Sequence, residues 1–339
     1  MLHKAPDPEQ GTSLRNRRIA ARDTTEVAQW MIDDLPVPLP LADELARILY
    51  DLVKEERIYG VCVEEAIASR PWRGNCDRRI VAFGMSTFLS DACLKAQIAA
   101  PRANFAIELL NRVVANPGAA GLLSLPEVAQ GNAGEGLNLF PFLWLQRPRD
   151  PASPEGARLM TRAMYTLLEE HKGFNLKCIV KEGGREQEEA FTRGGMKKLA
   201  PCASEAGAPE GERFWFGLTR EEARGDAFGT GLSLLFHHDH PRCGFTRIQQ
   251  HVLQCASDDM NDVEIADHLG VTPHAVNMRW RTIYERIERQ ADLVALVFND
   301  RERIESNGRA SDGGGVHKRR RVVAYVRAHP EELRPYAWR

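Results

Sequence analysis

Residues 245–290 read FTRIQQHVLQCASDDMNDVEIADHLGVTPHAVNMRWRTIYERIERQ, and this stretch contains the start and stop signals of three consecutive helices. The first helix is predicted from about Thr246, and it is expected to bury Ile248, Val252 and Cys255 or Ala256. Asn261 is placed to cap the second helix, and Glu264 three residues later completes a capping box. Gly270 can adopt the positive φ that ends a helix. The stretch therefore predicts a small all-α unit.

The third helix is predicted to begin after Thr272 as N-cap, with Pro273 in the first helical position, where its missing N–H is not needed. Because Gly270 precedes Thr272 by only two residues, a short turn separates the second and third helices. Apolar side chains then recur at steps of four, three and four residues, at Val276, Trp280, Ile283 and Ile287. This stripe predicts packing against the first two helices in a helix-turn-helix arrangement.

The opposite face of the third helix, within residues 272–289, carries polar side chains. In a helix-turn-helix protein this face enters the major groove, where Asn and Arg can make bidentate contacts with adenine and guanine. The side chains predicted to contact DNA are those of Thr272, His274, Asn277, Met278, Arg279 and Arg281. The sequence therefore predicts double-stranded DNA as a partner. Since many such proteins bind paired half-sites, a homodimer is an open alternative.

The motifs of this stretch resemble the LuxR-type helix-turn-helix domain of bacterial transcriptional regulators. The resemblance rests on FTR at 245–247, NDVEIADHLG at 261–270 and TPHAV at 272–276. Asn277 stands where the family usually has a DNA-contacting Lys, and Ala275 stands where it has Thr. The resemblance implies a transcriptional regulator that reads the major groove with the helix at 272–289. A helical bundle with no nucleic-acid role is the alternative.

Upstream, short apolar runs alternate with helical patterns. The predicted strands are 59–67, 79–89, 137–145, 176–181 and 214–218, and the predicted helices are 42–57, 91–115, 155–171 and 185–194. Interleaved strands and helices predict an α/β or α+β layer structure. The predicted fold class is therefore two-domain, with an N-terminal α/β domain at 41–235 and a small all-α helix-turn-helix domain at 236–300.

Basic residues lie in the segments on either side of these domains. Residues 1–40 are predicted to form a basic arm, with Arg15, Arg17, Arg18 and Arg22, and a short helix. Residues 301–339 are predicted to form a flexible linker and a basic C-terminal helix. Three bases of that helix are expected to contact DNA: Lys318, Arg319 and Arg320.

The order of elements in the larger domain resembles that of GNAT-type acetyltransferases. In that family the loop between a strand and the following helix reads Arg or Gln, x, x, Gly, x, Gly or Ala, and its N–H groups bind the pyrophosphate of coenzyme A. Here residues 146–156 read QRPRDPASPEG, with three prolines that carry no N–H and a single glycine. The resemblance implies a GNAT-like fold in which this way of binding the cofactor is lost.

We therefore expect the α/β domain to sense a partner or a small molecule, such as an acyl-CoA-like ligand, and so to regulate DNA binding. No catalytic residue, cofactor or enzymatic activity is predicted. The alternative is a GNAT-type N-acetyltransferase fused to a helix-turn-helix module.

Composition limits the remaining classes of function. The net charge of −2 gives no overall attraction to nucleic acid, so a DNA-binding surface has to be local. The seven cysteines are scattered without a CxxC pair, which argues against a disulfide framework. Residues 237–243 hold three His, one Asp and one Cys, but without a standard zinc spacing, so no metal site is predicted. No apolar run could span a bilayer and the first ten residues lack a signal peptide, so a cytoplasmic location without a membrane partner is expected.

Overall fold

The structure is a computed structural model, and it describes residues 14–35, 39–66, 78–116, 121–203, 212–298 and 314–338. Its seven strands are β1 (Leu14–Arg18), β2 (Ile58–Ala66), β3 (Arg78–Leu89), β4 (Leu137–Gln146), β5 (Leu176–Gly184), β6 (Lys197–Pro201) and β7 (Arg213–Thr219). They form one sheet in the order β1-β2-β3-β4-β5-β7-β6. The pairing of β4 with β5 is parallel, whereas β1–β2, β2–β3, β5–β7 and β6–β7 pair antiparallel.

The part of the chain that holds the strands also contains eight of the described α-helices: α1 (Thr24–Asp34), α2 (Ala42–Lys54), α3 (Asp91–Ala99), α4 (Phe105–Ala115), α5 (Leu125–Ala133), α6 (Pro154–His171), α7 (Glu188–Arg193) and α8 (Arg220–Arg224). Five more follow: α9 (Arg247–Ser257), α10 (Asp262–Leu269), α11 (Pro273–Glu288), α12 (Ala291–Phe298) and α13 (Gly314–Ala328). A mixed α/β sheet with further helices in the rest of the chain is therefore the observed architecture.

The five predicted strands all exist, with ends within three residues of the prediction. The short strands β1 and β6 and the helices α5 and α8 were not predicted. The helix predicted at 91–115 is two helices, because Pro101 lacks an N–H and Asn104 takes a left-handed conformation with φ of 56° between them. Tertiary pairing stabilises the two missed strands, and their five-residue sequences alone carry too short a pattern to detect.

By its internal contacts the chain divides into two compact units. The first comprises Met1–Thr87, Ala106–Pro117 and Pro141–Glu170, and the second comprises Phe88–Phe105, Gly118–Phe140 and His171–Arg339. The second unit thus contains both α9–α13 and the strands β5–β7. A separate all-α domain is not confirmed, and the predicted domain limits at 40, 235 and 300 stay predictions.

In the first unit, the expected basic arm is instead partly strand. Arg17 lies in β1, is 8% exposed, and donates hydrogen bonds to the carboxylates of Asp23 and Glu64. Arg18 forms an ion pair with Glu170 at 2.7 Å. Because a buried guanidinium is stable only when it is paired, these contacts fix the segment in the fold. Residues 14–18 of the predicted basic arm are therefore a strand of the sheet, and residues 1–13 lie outside the described part.

In the second unit, α9–α13 share one apolar core with the end of the chain. Val252, Ile265, Ile283, Leu293 and Val322 are each fully buried in it. Since Leu293 and Val297 of α12 lie in this core, they are not available as a contact with a second subunit. The apolar character of α12 therefore reflects packing within the chain.

Residues 329–338, which we call the C-terminal strap, tie this helical core to other parts of the second unit. On α9, the side chains of Gln250 and Gln254 donate hydrogen bonds to the strap carbonyls of Glu332, Leu333 and Arg334. Further along, Asn132 of α5 donates to the carbonyl of Pro335 at 2.7 Å. These contacts join α5 and α9, which are more than 110 residues apart in sequence.

Glu332 anchors the strap. Its carboxylate is 1% exposed and accepts hydrogen bonds from the backbone N–H groups of Arg242 and Cys243 and from the hydroxyl of Tyr325 at 2.9 Å. A buried carboxylate is tolerated only when such donors surround it. Glu332 therefore fixes the strap to α13 and to the segment that precedes α9.

We predict that Glu332→Ala lowers the free energy of unfolding by about 2–4 kcal/mol, because the buried donors lose their acceptor. Urea denaturation followed by circular dichroism measures this. Glu189→Ala is the matched control, since Glu189 is an exposed glutamate paired only with Arg193 on the same helix; it should change stability by less than about 0.5 kcal/mol. Equal effects of the two variants would contradict the role of Glu332.

Candidate functional sites

The helix-turn-helix candidate begins with the caps of α10 and α11. The side chain of Asn261 accepts hydrogen bonds from the N–H groups of Val263 and Glu264 at 3.0 and 3.1 Å. Gly270 ends α10 in the left-handed conformation with φ of 64°, and the Thr272 hydroxyl accepts from the N–H of Ala275. Each of these residues takes the position that the capping pattern predicts.

The two faces of α11 also differ as its pattern predicts. Val276, Trp280, Ile283 and Ile287 are buried, while Thr272, His274, Asn277, Met278 and Arg281 are exposed and Arg279 is half-buried. On α9, Ile248 is 55% exposed, against the expectation that it packs inward, and Gln249 is buried instead. The side chain of Gln249 faces inward because it bonds to Thr246 and Thr282. Contact of the exposed residues with DNA stays a prediction.

A groove of about 580 Å³ runs beside this exposed face. Asn277 and Arg281 of α11 line it together with Lys318 and Arg319 of α13. The structure thus brings together bases that lie about 40 residues apart in sequence.

Every one of these three bases has an acidic partner. Arg281 pairs with Glu285 at 3.0 Å, Lys318 with Glu288 at 2.6 Å and Arg319 with Asp262 at 2.7 Å. Ion pairs as exposed as that of Arg281 contribute about 0–1 kcal/mol, so a phosphate can displace the carboxylate at little cost. Arg320 is exposed on the same helix. The predicted roles of Lys318, Arg319 and Arg320 in DNA binding stay predictions.

Arg319 has a second contact that the sequence did not indicate. Its guanidinium lies 4.6 Å from the centre of the Trp280 ring, which itself stacks on Tyr284. This cation–π contact holds α13 against α11. No spacing rule could have found it, because residues 299–313 separate α13 from the rest of the bundle.

The second candidate site is the turn between β4 and α6, where the GNAT resemblance places a pyrophosphate. Pro148, Pro151 and Pro154 carry no N–H. Two further donors serve the turn itself, since the N–H of Ala152 bonds to the side chain of Asp150 and the N–H of Gly156 bonds to the hydroxyl of Ser153. The turn therefore offers few amide groups to an anion.

Two arginines at this turn are held by one carboxylate. Asp34, whose side chain is 3% exposed, accepts hydrogen bonds from Trp30 Nε1 at 2.7 Å and from Arg149, and lies 3.5 Å from Arg147. Burial by itself raises the pKa of Asp34, but the hydrogen bonds from Arg149 and Trp30 outweigh it and hold that pKa below its ordinary value. The side chains of Arg147 and Arg149 remain 53% and 68% exposed.

The first unit also contains a cavity of about 500 Å³ next to this turn. It is lined by Arg22 and Arg147 and by the carboxylates of Glu26 and Asp33. The Arg147 guanidinium stacks over the Trp30 ring at 4.3 Å. Burial and the neighbouring Asp23 raise the pKa of Glu26. The cavity therefore offers guanidinium groups for an anion and carboxylates for a cation.

Two histidines of segment 237–243 contact other parts of the fold. His238 Nδ1 lies 3.2 Å from the carbonyl of Gly173, and His240 Nδ1 lies 2.8 Å from the hydroxyl of Tyr336 in the C-terminal strap. Within the described ranges, no three His, Cys, Asp or Glu side chains cluster so that they could hold a metal ion. In the same ranges no helix is both long and apolar enough to cross a bilayer.

Comparison with known proteins finds matches among solved structures. No protein-family model and no curated protein matches the chain, so the LuxR-type resemblance gains no support from them. One match, from Desulfovibrio desulfuricans, is assigned to the GNAT acetyltransferase family, with 10% identity and a TM-score of 0.34 over 61% of this chain and 99% of that one.

Two other matches are of the same kind. The spermidine/spermine N-acetyltransferase SpeG from Vibrio cholerae has 9% identity and a TM-score of 0.35, with 63% of this chain and 96% of that chain covered. The aminoglycoside acetyltransferase AAC(6')-Ib has 14% identity and a TM-score of 0.30, with 62% and 98% covered. Such values describe a distant likeness of fold.

The prediction that the chain is not an enzyme has to be corrected. It was inferred from the three prolines in the turn after β4, whereas the matched structures are acetyltransferases. The loss of amide donors excludes only one way of binding a phosphate, since arginine side chains can also bind one, so the three prolines do not by themselves exclude an enzyme.

We predict that Gly156→Ala destabilises the turn between β4 and α6, because an added Cβ would lie 1.9 Å from the carbonyl oxygen of Asp150. Overpacking of this kind costs about 1–3 kcal/mol, measured by chemical denaturation. Gly231→Ala is the control, since nothing lies within 4 Å of its added Cβ. If Gly156→Ala is as stable as the unsubstituted protein, the turn is not folded as described.

Proposed function

We propose that the chain is a GNAT-type N-acetyltransferase fused to a helix-turn-helix module that binds double-stranded DNA. The observation that carries the enzymatic part is the sheet, in which β4 and β5 are parallel neighbours, whereas β1–β2, β2–β3, β5–β7 and β6–β7 are antiparallel. Their register covers only Leu137–Leu139 of the ten residues of β4. The later residues of β4 lead directly into the turn with Arg147 and Arg149.

The proposed donor is an acyl-CoA. Its phosphates would be bound by the guanidinium groups of Arg147 and Arg149, with Arg22 on the neighbouring cavity wall, in place of the amide groups that the prolines remove. In acetyl transfer, the neutral nitrogen of an amine attacks the thioester carbonyl, the C–N bond forms as the C–S bond breaks, and the proton lost by the nitrogen balances protonation of the departing thiolate of coenzyme A. Glu26 and Asp33, which line the same cavity, favour binding of an amine as its ammonium cation, which has to lose a proton before its nitrogen can attack.

Titration of the full chain with acetyl-CoA in a calorimeter tests the donor. Release of free thiol is then followed in the presence of amines, including spermidine and an aminoglycoside, with a protein-only blank for the native cysteines. Saturable binding with thiol release supports the proposal, and absence of binding would overturn its enzymatic part.

We predict that Arg147→Ala and Arg149→Ala each weaken acetyl-CoA binding about tenfold, since a charge-assisted hydrogen bond contributes about 1.5–3 kcal/mol. Arg185→Ala is the matched control, because Arg185 is also exposed and paired with one acid, Glu212, but lies after β5. An unchanged dissociation constant in both test variants would show that the phosphates bind elsewhere.

DNA binding is the second activity proposed, and the exposed face of α11 supports it. Asn277 and Arg281 point away from the buried stripe and lie on the groove that Lys318 and Arg319 also line. Because the salt dependence of DNA affinity scales with the number of phosphates neutralised, so few bases would give a shallow dependence on salt. Selection of bound duplexes from a random library tests this activity independently of acetyl transfer.

We predict that Asn277→Ala and Arg281→Ala each cost about 1–3 kcal/mol on the selected sequence and little on random DNA. Fluorescence anisotropy at fixed salt measures both. Arg289→Ala at the far end of the same helical segment is the control. Equal losses on all sequences would make Asn277 and Arg281 phosphate contacts rather than base contacts.

A further inference from the structure

Helix α6 presents an apolar face that no other part of the described chain covers. Met160, Met164 and Tyr165 are 44%, 43% and 59% exposed. On its other side, Leu159 is 3% exposed and packs against Val63, Val81 and Ala82 of β2 and β3. The orientation of α6 is therefore fixed, and the two methionines cannot turn inward.

The exposed residues form a continuous stripe along the helix. Ala157, Met160, Met164 and the half-buried Leu168 follow one another at steps of three, four and four residues. Such steps place side chains on one face over three turns of an α-helix. An apolar stripe of this length on a protein surface indicates a face that another element covers.

Charged residues along one edge of the stripe indicate what that element is. Arg158 and Glu169 are both exposed and lie eleven residues apart, which is three turns, so they occupy the same edge at opposite ends. When two copies of α6 pack antiparallel about a two-fold axis, this edge of one helix lies next to the same edge of the other helix, and the two edges run in opposite directions. Arg158 of one copy then meets Glu169 of the other, twice per pair.

The same axis makes a second contact self-complementary. The two-fold axis passes the midpoint between Arg158 and Glu169, which falls between Ala163 and Met164. Arg162 and Tyr165 have the same midpoint, so Arg162 of one copy lies opposite Tyr165 of the other. That pairing allows a cation–π contact at the centre. An isologous interface requires this kind of self-complementarity.

We propose that the stripe of Ala157, Met160, Met164 and Leu168, together with the exposed Tyr165 beside it, is a homodimer interface in which a second copy of this chain packs antiparallel. The helix has 18 residues and is about 27 Å long. Its exposed face alone is smaller than the roughly 800 Å² per partner of a stable interface. The dimer is therefore weak and depends on protein concentration.

Sedimentation velocity of the full chain over a concentration series tests this interface. We expect reversible dimerisation, and Met164→Asp should raise the dissociation constant at least tenfold. Leu234→Asp is the matched control, because Leu234 is 64% exposed and lies outside α6; it should leave the constant unchanged. A chain that is monomeric at every concentration, or a Met164→Asp variant that dimerises as before, overturns the proposal.

Charge reversal tests the antiparallel direction. Arg158→Glu and Glu169→Arg should each weaken the dimer, because each places like charges opposite one another. The variant with both substitutions should restore the dimer, because it places opposite charges together again. Circular dichroism confirms that each variant is folded. Failure of the double variant to recover overturns the pairing.

Cysteine cross-linking gives a second measure of direction. Met164→Cys lies next to the axis and should form a disulfide with its own copy, above the background of the native cysteines, whereas Ala157→Cys at the end of the stripe should not. Self-cross-linking at position 157 would mean a parallel arrangement, which contradicts the proposal.

Discussion

A single buried carboxylate, that of Glu332, determines how the C-terminal part of the second unit is held together. It accepts hydrogen bonds from the segment before α9 and from Tyr325 of α13, and so fixes the C-terminal strap. The strap in turn bonds to α9 through Gln250 and Gln254 and to α5 through Asn132. The helices α9–α13 therefore do not depend on their own apolar stripes alone. Any motion of α9 has to break hydrogen bonds that also reach α5.

In the first unit the carboxylate of Asp34 has a similar role. Asp34 accepts a hydrogen bond from Trp30 and forms ion pairs with Arg147 and Arg149. These contacts fix the turn after β4 against the end of α1. The prolines of this turn carry no backbone N–H, whereas the side chains of Arg147 and Arg149 remain 53% and 68% exposed beside them. The polar donors that this turn presents at the surface are therefore mainly guanidinium groups, which bind anions in two-point geometry.

The local features of the helix-turn-helix region followed from the sequence. Asn261, Gly270 and Thr272 act through hydrogen bonds and φ angles within a few residues, so the pattern of residues was sufficient to place α10 and α11. The stripe from Val276 to Ile287 is buried as its spacing predicts. Ile248 was misplaced because burial on α9 is decided by Thr282 and the strap, which pair with glutamine side chains instead.

The sequence by itself thus determined where most helices and strands lie, which face of α11 is apolar, and that the turn after β4 lacks amide donors. Each of these depends on neighbouring residues or on a regular period. The tertiary structure alone decided that Arg17 is buried in a strand, that Asp34 joins Arg147 and Arg149, and that Lys318 and Arg319 lie beside Asn277 and Arg281. These contacts join residues 40 to more than 100 positions apart, or depend on strand pairing, and no spacing in the sequence encodes them.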